Sequence, residues 1–152
     1  MRRIEPDRDG TKRRVAIVQS RFNPSIGKGL LAGALRAFKE ARVSDDRITV
    51  VTVPGALEAP LALQRLAQSG HYDALVALGA VIRGDTYHFD IVANESASGI
   101  SGVQLEFGIP IGNGVLTCDT DAQAEARMDA KGYEAAMASL ELANLLDAID
   151  AR

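Results

Sequence analysis

The chain has 152 residues, which is enough for one domain with a buried core, and its hydrophobic share of 47% is ordinary for a globular protein. Its 17 basic and 20 acidic residues give a net charge of −3, so the chain lacks the sequence-wide basic field that attracts nucleic acid, and we expect no nucleic-acid partner. No apolar run approaches the length of a membrane span, and residues 1–14 lack the apolar core of a signal peptide, so we expect a cytoplasmic protein with no membrane partner.

The chain begins with a polar segment and a first strand-helix unit. Residues 1–13 mix both charges with glycine and proline and show no hydrophobic period, which predicts a mobile tail. Residues 15–18 are a short β-branched run that predicts a strand, and residues 19–24 predict the polar turn that ends it. Apolar residues then recur at helical spacing from Ile26 to Phe38. A second unit follows, with a strand over residues 48–53 and a helix over residues 58–68.

The third unit contains the longest apolar run that predicts a strand. Residues 74–82 carry no charge and are rich in Val, Leu and Ile, which is typical of a strand buried on both faces of a parallel sheet. A short polar turn follows over residues 83–86. From Phe89 onward the apolar residues recur in steps of three and four, which predicts one buried face of a helix.

The last part of the chain continues the alternation. Residues 109–116 predict a fourth strand interrupted at Gly112, Asn113 and Gly114, and residues 119–121 predict the cap of the next helix. Residues 133–149 predict the final helix. Repeated alternation of strand and helix predicts the α/β class, with one doubly wound parallel sheet in a single domain over residues 14–152.

The turn after the third strand is the strongest candidate for a ligand site. Open α/β sheets bind ligands at the carboxyl ends of their strands, and the helix that follows would direct its free N–H groups and positive dipole end at the turn. This arrangement favours phosphate or another anion. Gly84 is a residue that can take a positive φ, and Asp85 and Thr86 are the two candidate N-caps. His88 lies in the first helical turn, where the dipole disfavours its charged form, and this cost to stability favours a functional role.

Several common motifs are absent from the sequence. No G-x-G-x-x-G follows any strand, and residues 27–29 lack the upstream glycine and the Ser or Thr of a P-loop. Neither G-x-S-x-G nor H-E-x-x-H occurs, which disfavours the common hydrolase and metalloprotease chemistries. One cysteine and two histidines exclude an internal disulfide and a zinc-type cluster, so we expect no metal.

Each remaining candidate residue also has a structural explanation. Phe22 would serve equally well as the hydrophobic staple of the first helix, Glu58 as a carboxylate stabilised by a helix dipole, and Asn113 as a β-bulge residue. Arg127 alone would be a solvated helix residue. For Cys118, a buried inert thiol is favoured over a nucleophile. From the residues alone these alternatives stay open.

Taken together, five segments resemble the lumazine synthase family. They read RFN at residues 21–23, VPGALEAP at 53–60, ALGAVIRGDTYHFDIVANESASGI at 77–100, NGVLTCDTDAQAEAR at 113–127 and KGYEAAMASLELANLL at 131–146. Their order and spacing are also those of the family, and the VIRG-x-T-x-HFD segment is highly specific. The resemblance therefore implies a flavodoxin-like fold of the lumazine synthase type, a three-layer αβα sandwich with a four-stranded parallel sheet.

The resemblance also implies a reaction. Members of this family join 5-amino-6-ribitylaminouracil to 3,4-dihydroxy-2-butanone 4-phosphate, giving 6,7-dimethyl-8-ribityllumazine, phosphate and water, in riboflavin biosynthesis. The expected activity is therefore that of a transferase with small-molecule substrates. No metal or organic cofactor is expected.

By the same resemblance, the site residues fall into three groups. The pyrimidine and its ribityl chain would be bound by Phe22, Asn23, Ala56, Leu57, Glu58, Ala80, Val81, Ile82 and Asn113. The phosphate would be bound by Gly84, Asp85, Thr86 and an Arg127 supplied by a neighbouring subunit, with Lys131 as a further candidate. His88 would be the catalytic residue, which shuttles protons during imine formation and phosphate loss.

Three features depart from the family pattern. Many members have an aromatic residue where this chain has Asn113, so stacking on the second face of the ring would be weaker or replaced by a hydrogen bond. Asp85 is an anion beside a phosphate site, so we expect its side chain to cap the helix instead. Residues 128–130 form a shorter linker between the last two helices than shell-forming members have, which predicts a free homopentamer with active sites between subunits.

Two other classes of function compete with an enzyme. One is a non-catalytic paralogue that binds a flavin or a lumazine in the same pocket, and the other is a purely structural assembly protein. The presence of both His88 and Arg127 favours the enzyme, because a binder of neutral lumazine needs neither a proton shuttle nor a phosphate clamp.

Overall fold

A computed structural model describes residues 1–151, in which four strands alternate with four long helices. The strands are β1 (Val15–Ser20), β2 (Ile48–Val53), β3 (Ala74–Ile82) and β4 (Ile111–Cys118). The helices are α1 (Pro24–Glu40), α2 (Ala59–Ser69), α3 (His88–Phe107) and α4 (Asp121–Asp150). Short 3-10 turns precede β2 at Asp45–Arg47 and α2 at Ala56–Glu58. The predicted alternation of strand and helix is confirmed.

The strands form one parallel sheet in the order β2-β1-β3-β4. β3 lies inside the sheet, and its residues from Ala74 to Val81 are buried, as its continuous apolar run predicts. β2 and β4 are the two edges of this sheet. All four strands end on the same side, so the segments that follow them meet at one edge of the sheet.

Helices cover both faces of the sheet, which confirms the predicted three-layer α/β sandwich. Side chains alternate along each strand, so Ile17 faces α1 and α4 while its neighbour Val18 faces α2 and α3. Phe38 and Leu140 are completely buried on the first face, and Leu63 is completely buried on the second. Each large apolar side chain buried in this way contributes about 1.5–3 kcal/mol, and the two cores together hold the sheet rigidly beneath its loops.

The expected linker at residues 128–130 is wrong, because α4 is a single helix of 30 residues. Its packing explains the continuity. A Cβ on Gly132 would overlap the carbonyl oxygen of Leu30, and one on Gly33 would overlap that of Asp129, so glycines on both helices let α1 and α4 approach closely. Gly132 therefore serves a helix–helix contact and does not interrupt the helix. The prediction of a free ring loses its premise, since no linker separates two helices here.

The expected interruption of the fourth strand is also wrong. β4 runs unbroken opposite β3 from the Leu75–Ile111 pair to the Ile82–Cys118 pair, and Asn113 lies opposite Ala77 without a bulge. The glycines on either side of Asn113 are needed for close packing, because a Cβ on Gly112 would overlap the carbonyl oxygen of Ala135 in α4. The alternative that Asn113 is a bulge residue is thereby excluded.

The segment before β1 has defined contacts with α4. The Arg13 guanidinium donates hydrogen bonds to Asn144 at 2.6 and 2.9 Å and to Asp147 at 2.6 Å, and Asn144 in turn donates to the carbonyl oxygens of Asp7 and Asp9. These bonds connect residues 7–13 to the carboxyl half of the last helix. The mobility of residues 1–13 stays a prediction.

Candidate active site at the carboxyl edge of the sheet

Backbone hydrogen bonds bring the ends of β1 and β2 together. The amide of Arg21 donates to the carbonyl of Val53 at 2.9 Å, and the amide of Phe22 donates to that of Pro54 at 3.2 Å. β1 extends two residues further than predicted, through Ser20, because Gln19 and Ser20 pair with Thr52 and Val53 of β2. The turns after the two strands therefore lie side by side at the rim of the sheet.

Phe22 and Asn23 begin α1 in an unusual way. Asn23 has a φ of 57°, in the left-handed region that asparagine tolerates better than most residues. Its side-chain nitrogen Nδ2 donates a hydrogen bond to the backbone carbonyl of Ala80 at 3.4 Å. The Phe22 side chain is 71% exposed. An aromatic ring left in solvent does not act as a staple for α1, so that alternative is not supported. The ring is free to stack on a ligand at the rim.

The last residues of β3 have no partner in β1. The pairing of β3 with β1 stops at Gln19 and Leu78, whereas its pairing with β4 continues to Ile82. Ala80 and Val81 therefore lie beyond the last β1 partner, and their side chains are buried beneath the rim. The Ala80 carbonyl accepts from the Asn23 side chain, and the role of residues 80–82 in ligand binding stays a prediction.

The turn after β2 places small and polar residues next to this rim. Ala56 is buried, whereas Leu57 is 42% exposed and Glu58 is exposed. The Glu58 amide donates to the carbonyl of Gly55 at 3.2 Å, which closes the 3-10 turn before α2. The turn thus presents the Leu57 and Glu58 side chains to solvent at the same edge as Phe22.

The loop over residues 83–87 leads directly into α3. His88 is the first residue of α3, as predicted, and its backbone N–H donates to the Thr86 hydroxyl at 3.4 Å. Residues 83–88 are all exposed. A helix amino end, an accessible hydroxyl and an imidazole therefore lie at one place, which suits an anion and proton transfer.

One expectation about this loop is wrong, and one conformation that the sequence allows is not adopted. Gly84 does not have a positive φ, so the turn leaves β3 without a left-handed residue. Asp85 does not cap α3. Among residues 1–151, the side chain that accepts a hydrogen bond from the backbone N–H of His88 is the Thr86 hydroxyl. Asp85 is exposed, and within the described residues its side chain makes no hydrogen bond to the first turn of α3.

Arg83 is held in place by three contacts. Its Nε lies 2.7 Å from Oδ1 of Asp119, its guanidinium carbon lies 4.4 Å from the centre of the Phe89 ring, and its backbone N–H donates to the Cys118 carbonyl at 2.8 Å. The hydrogen bond to Asp119 raises the pKa of the Arg83 guanidinium. Arg83 is also the only lysine or arginine between Arg65 and Arg127 in the sequence. The cation next to the candidate anion site is thus already engaged.

Arg127 and Lys131 lie elsewhere on the same chain. They line a cavity of about 530 Å³ between α4 and residues 115–118 of β4, at the open edge of the sheet. The Arg127 guanidinium donates to the carbonyl of Gln123 at 2.9 Å and is otherwise exposed. The lining contains neither Thr86 nor His88. Within residues 1–151, no hydrogen bond or ion pair joins Arg127 to Phe22, Asn23, Thr86 or His88.

Asn113 faces outward from the same edge strand. Its side chain is exposed, and its Oδ1 accepts from the Val115 amide at 3.0 Å. Cys118, at the end of β4, is a buried free thiol, which agrees with the interpretation as an inert residue. Asn113 and Arg127 thus belong to the β4 side of the chain and not to the rim that holds His88.

Sequence patterns do not identify Ser20 or the role of Arg83. The Ser20 hydroxyl is 1% exposed and has no hydrogen-bond partner among residues 1–151, and a Cβ on Gly79 would lie 2.7 Å from its oxygen. A serine at the end of a predicted strand gives no sign of this. For Arg83, the sequence shows only that it is the one positively charged residue in the turn over residues 83–86.

Two further observations concern metals and membranes. Within residues 1–151 no group of three or more His, Cys, Asp and Glu side chains is placed to hold a metal ion. Among the four long helices of that same range, none is both long enough and apolar enough to cross a membrane.

Comparison with known proteins agrees with this geometry. Residues 12–147 match the family model described as 6,7-dimethyl-8-ribityllumazine synthase. Curated proteins of that name from Methylobacillus flagellatus, Paraburkholderia phymatum and Cupriavidus metallidurans are 55%, 53% and 53% identical to the chain over 146 residues. These alignments cover 96% of this chain and 98%, 85% and 86% of the three relatives. The chain belongs to the 6,7-dimethyl-8-ribityllumazine synthase family.

Proposed function

We propose that this chain is a transferase of riboflavin biosynthesis that condenses 5-amino-6-ribitylaminouracil with 3,4-dihydroxy-2-butanone 4-phosphate. The products are 6,7-dimethyl-8-ribityllumazine, phosphate and two molecules of water, since each of the two amines of the pyrimidine condenses with the butanone skeleton. One observation carries the proposal beyond family membership: an exposed aromatic ring at Phe22 and the helix amino end at His88 lie on the same rim of one sheet. A flat ring and a phosphate are the two groups that such a rim accommodates.

The pyrimidine end of the site is assigned to the β1, β2 and β3 termini. Phe22 stacks on the ring, because its side chain is exposed and has no aromatic neighbour to occupy it among the described residues. Backbone groups of residues 80–82 bind the ring edge, and Asn23 fixes the carbonyl of Ala80 beside it. Ala56, Leu57 and Glu58 take the ribityl chain. Asn113 offers a hydrogen bond from the neighbouring subunit where many relatives have an aromatic ring.

The phosphate end of the site is assigned to the amino end of α3. Backbone N–H groups of Gly84 and Asp85, with the Thr86 hydroxyl, bind phosphate oxygens, and the helix dipole favours the negative charge. Arg83 is paired with Asp119, so it does not supply the balancing cation. We assign that cation to Arg127 of a neighbouring subunit, with Lys131 beside it, because both line a cavity at the open edge of the sheet.

His88 is assigned to proton transfer. Attack of the pyrimidine amine on the ketone carbonyl gives a carbinolamine, and loss of water from it needs a proton on the departing oxygen. Imidazole can donate that proton and accept one from carbon as phosphate leaves, since histidine exchanges protons near neutral pH. No metal or organic cofactor enters this scheme.

We propose a homopentamer in which each active site lies between two subunits, and the cytoplasm as its compartment. The support for a shared site is the separation of Arg127 and Lys131 from His88 and Thr86 within one chain. A cyclic oligomer brings the β4 edge of one copy against the rim of the next. Light scattering of the purified protein at neutral pH measures the assembly, and a monomer that remains active would contradict a shared site.

The direct test of function is to mix purified protein with the two substrates and to follow lumazine fluorescence. Product formation at a rate proportional to protein concentration is expected. Binding of lumazine or flavin without product would instead support the non-catalytic paralogue.

A complementation experiment tests the shared site. Mixed oligomers of His88→Ala and Arg127→Ala chains should regain activity that neither variant has alone, because some interfaces then combine an intact His88 with an intact Arg127. In a random equal mixture about a quarter of the interfaces are intact. Mixtures no more active than the separate variants would place Arg127 in its own chain's site or outside the site altogether.

A further inference from the structure

We propose that Arg83 is a positioning residue that fixes the phosphate-binding loop, residues 84–86, and the first turn of α3 through its ion pair with Asp119. The proposal rests on the proposed function, which assigns phosphate binding to this loop. Arg83 would act through the loop and the helix, and would not itself touch the phosphate.

The contacts of Arg83 extend in three directions. The Nε–Oδ1 distance of 2.7 Å connects it to Asp119 in the β4–α4 turn. The Phe89 ring, 4.4 Å from the guanidinium carbon, belongs to the helical turn that begins at His88. The backbone N–H of Arg83 continues the ladder to the carbonyl of Cys118. One side chain therefore joins the start of α3 to the end of β4.

The loop has few other contacts of its own. A Cβ on Gly84 would meet no atom within 4 Å, and residues 84–87 are exposed. The hydrogen bond between Thr86 and the His88 amide is long, at 3.4 Å. A segment with so few contacts opens easily unless something outside it holds it. Arg83 is placed to do this, because it lies between the end of β3 and the loop.

The other end of the ion pair is itself fixed. The Asp119 amide donates to Oε1 of Gln123 at 2.8 Å, and the Gln123 amide donates to the hydroxyl of Thr120 at 3.2 Å. The second bond caps α4, and the first ties the backbone of Asp119 to the same helical turn. The ion pair with Arg83 connects this turn to the loop.

A direct role in phosphate binding is less consistent with the geometry. A phosphate that approached the Arg83 guanidinium would have to displace the Asp119 carboxylate at 2.7 Å or lie beside its negative charge. The two ideas differ sharply at Asp119. Removal of its charge would release Arg83 and favour phosphate binding if Arg83 were a direct ligand, whereas it would weaken binding if the pair positions the loop.

The test compares Arg83→Met, Asp119→Asn and the double variant in steady-state assays of lumazine formation. Each single variant should raise KM for the butanone phosphate about three- to tenfold, because an exposed ion pair and a cation–π contact are each weak. The apparent affinity falls in proportion to the fraction of loops that remain in the binding conformation. KM for the pyrimidine should stay unchanged, and the double variant should be no worse than either single variant.

Arg36→Met is a matched control. The Arg36 guanidinium lies 2.6 Å from the Asp129 carboxylate and 4.4 Å from the centre of the Tyr133 ring. The side chains of Arg36 and Asp129 are 47% and 63% exposed, and those of Arg83 and Asp119 are 52% and 63% exposed. The variant therefore loses the same two kinds of interaction between α1 and α4, away from residues 84–86, and in addition a pair with Glu40 at 3.6 Å. KM for the butanone phosphate should not change, because the buried backbone contacts of Gly33 and Gly132, and not this exposed pair, hold α4 against α1. Arg83→Lys should recover part of the effect of Arg83→Met, since lysine keeps the charge but not the planar group.

Amide hydrogen exchange gives a readout that does not depend on activity. Exchange over residues 84–89 should be faster in Arg83→Met and Asp119→Asn, and unchanged in Arg36→Met. A raised KM in Arg83→Met together with a lowered or wild-type KM in Asp119→Asn would overturn the proposal, and a lowered KM in Asp119→Asn would make Arg83 a direct ligand. A wild-type protein that forms no lumazine would contradict the proposed function instead, and the exchange experiment would still test the role of the pair.

Discussion

Replacement of Gly132 by alanine tests how closely α1 and α4 pack. An added Cβ would overlap the carbonyl oxygen of Leu30 and would lie 2.8 Å from its carbonyl carbon. Both atoms belong to the backbone of α1, so no side-chain rotation can relieve the overlap. The two helices would have to move apart along a contact that also includes Gly33 and the backbone of Asp129.

Two opposing effects set the magnitude of the change. Alanine is favoured over glycine within a helix by about 0.8–1 kcal/mol. Overpacking of a tight core costs about 1–3 kcal/mol, and an overlap with backbone belongs at the upper end of that range. We therefore expect Gly132→Ala to lower the free energy of unfolding by about 1–2 kcal/mol. Because α4 also carries Arg127, KM for the butanone phosphate should rise as well.

Gly102→Ala is the matched control. Gly102 lies within α3 and is exposed, and a Cβ added to it would meet no atom within 4 Å, so only the helix preference of alanine remains. Its expected effect is a gain of up to about 1 kcal/mol. Urea unfolding followed by circular dichroism, at equal protomer concentration, measures both variants. Equal stability of the two variants would refute the close approach of α1 and α4.

Four further outcomes are expected. His88→Ala should lower kcat by about 10²–10⁴ with fold and assembly intact, and unchanged turnover would remove His88 from the mechanism. Arg127→Ala should raise KM for the butanone phosphate much more than for the pyrimidine, with partial recovery in Arg127→Lys; equal effects on both substrates would assign Arg127 to the subunit interface. Ser20→Ala should be neutral or slightly stabilising, because the hydroxyl is buried without a partner in residues 1–151, whereas a loss above about 1 kcal/mol would reveal a bound partner. Ala130→Gly should cost about 1 kcal/mol in urea unfolding if residues 128–130 are helical, and no change would restore the linker.

The fold is predictable because its central features are local patterns. The uncharged run over residues 74–82 can be satisfied only by layers on both sides, and β3 has the predicted bounds. The bounds of β2 are also as predicted, since Pro54 ends the run. Tertiary pairing decides the rest: β1 continues through Gln19 and Ser20 because β2 pairs with both, although the two residues are polar.

Glycine is the main source of error. Local patterns make Gly132 a helix boundary and Gly112 part of a strand interruption, because glycine weakens both kinds of element locally. In the structure both residues are opposite backbone of another element, which no local pattern can show. Gly84 permits a positive φ that the structure does not adopt, since residue type alone does not decide which allowed conformation a loop takes.

The candidate site is only partly accessible from the sequence. Helical period places His88 at the amino end of α3, and the general rule for parallel sheets places the loops at one edge. The assignment of substrates comes from the resemblance to a family. The pair formed by Arg83 and Asp119 joins positions 36 residues apart and depends on the relative placement of two turns, so no pattern in either segment predicts it.

The continuity of α4 links the two halves of the proposed active site. Its cap at Thr120 adjoins Asp119, which holds the loop before α3, and Arg127 follows seven residues later on the same rigid helix, about 10 Å along its axis. In the proposed oligomer, a chain places residues 84–86 in one active site and Arg127 in the next. Helix α4 and the Arg83–Asp119 pair then fix the distance between these two parts of the chain. A flexible linker at residues 128–130 would leave the segment from Asp119 to Arg127 intact, because the linker would follow Arg127. Such a linker would, however, release the contact between Asp129 of α4 and Gly33 of α1. The close packing of glycines between α1 and α4 therefore holds α4 in the position from which, as we propose, Arg127 reaches a neighbouring subunit.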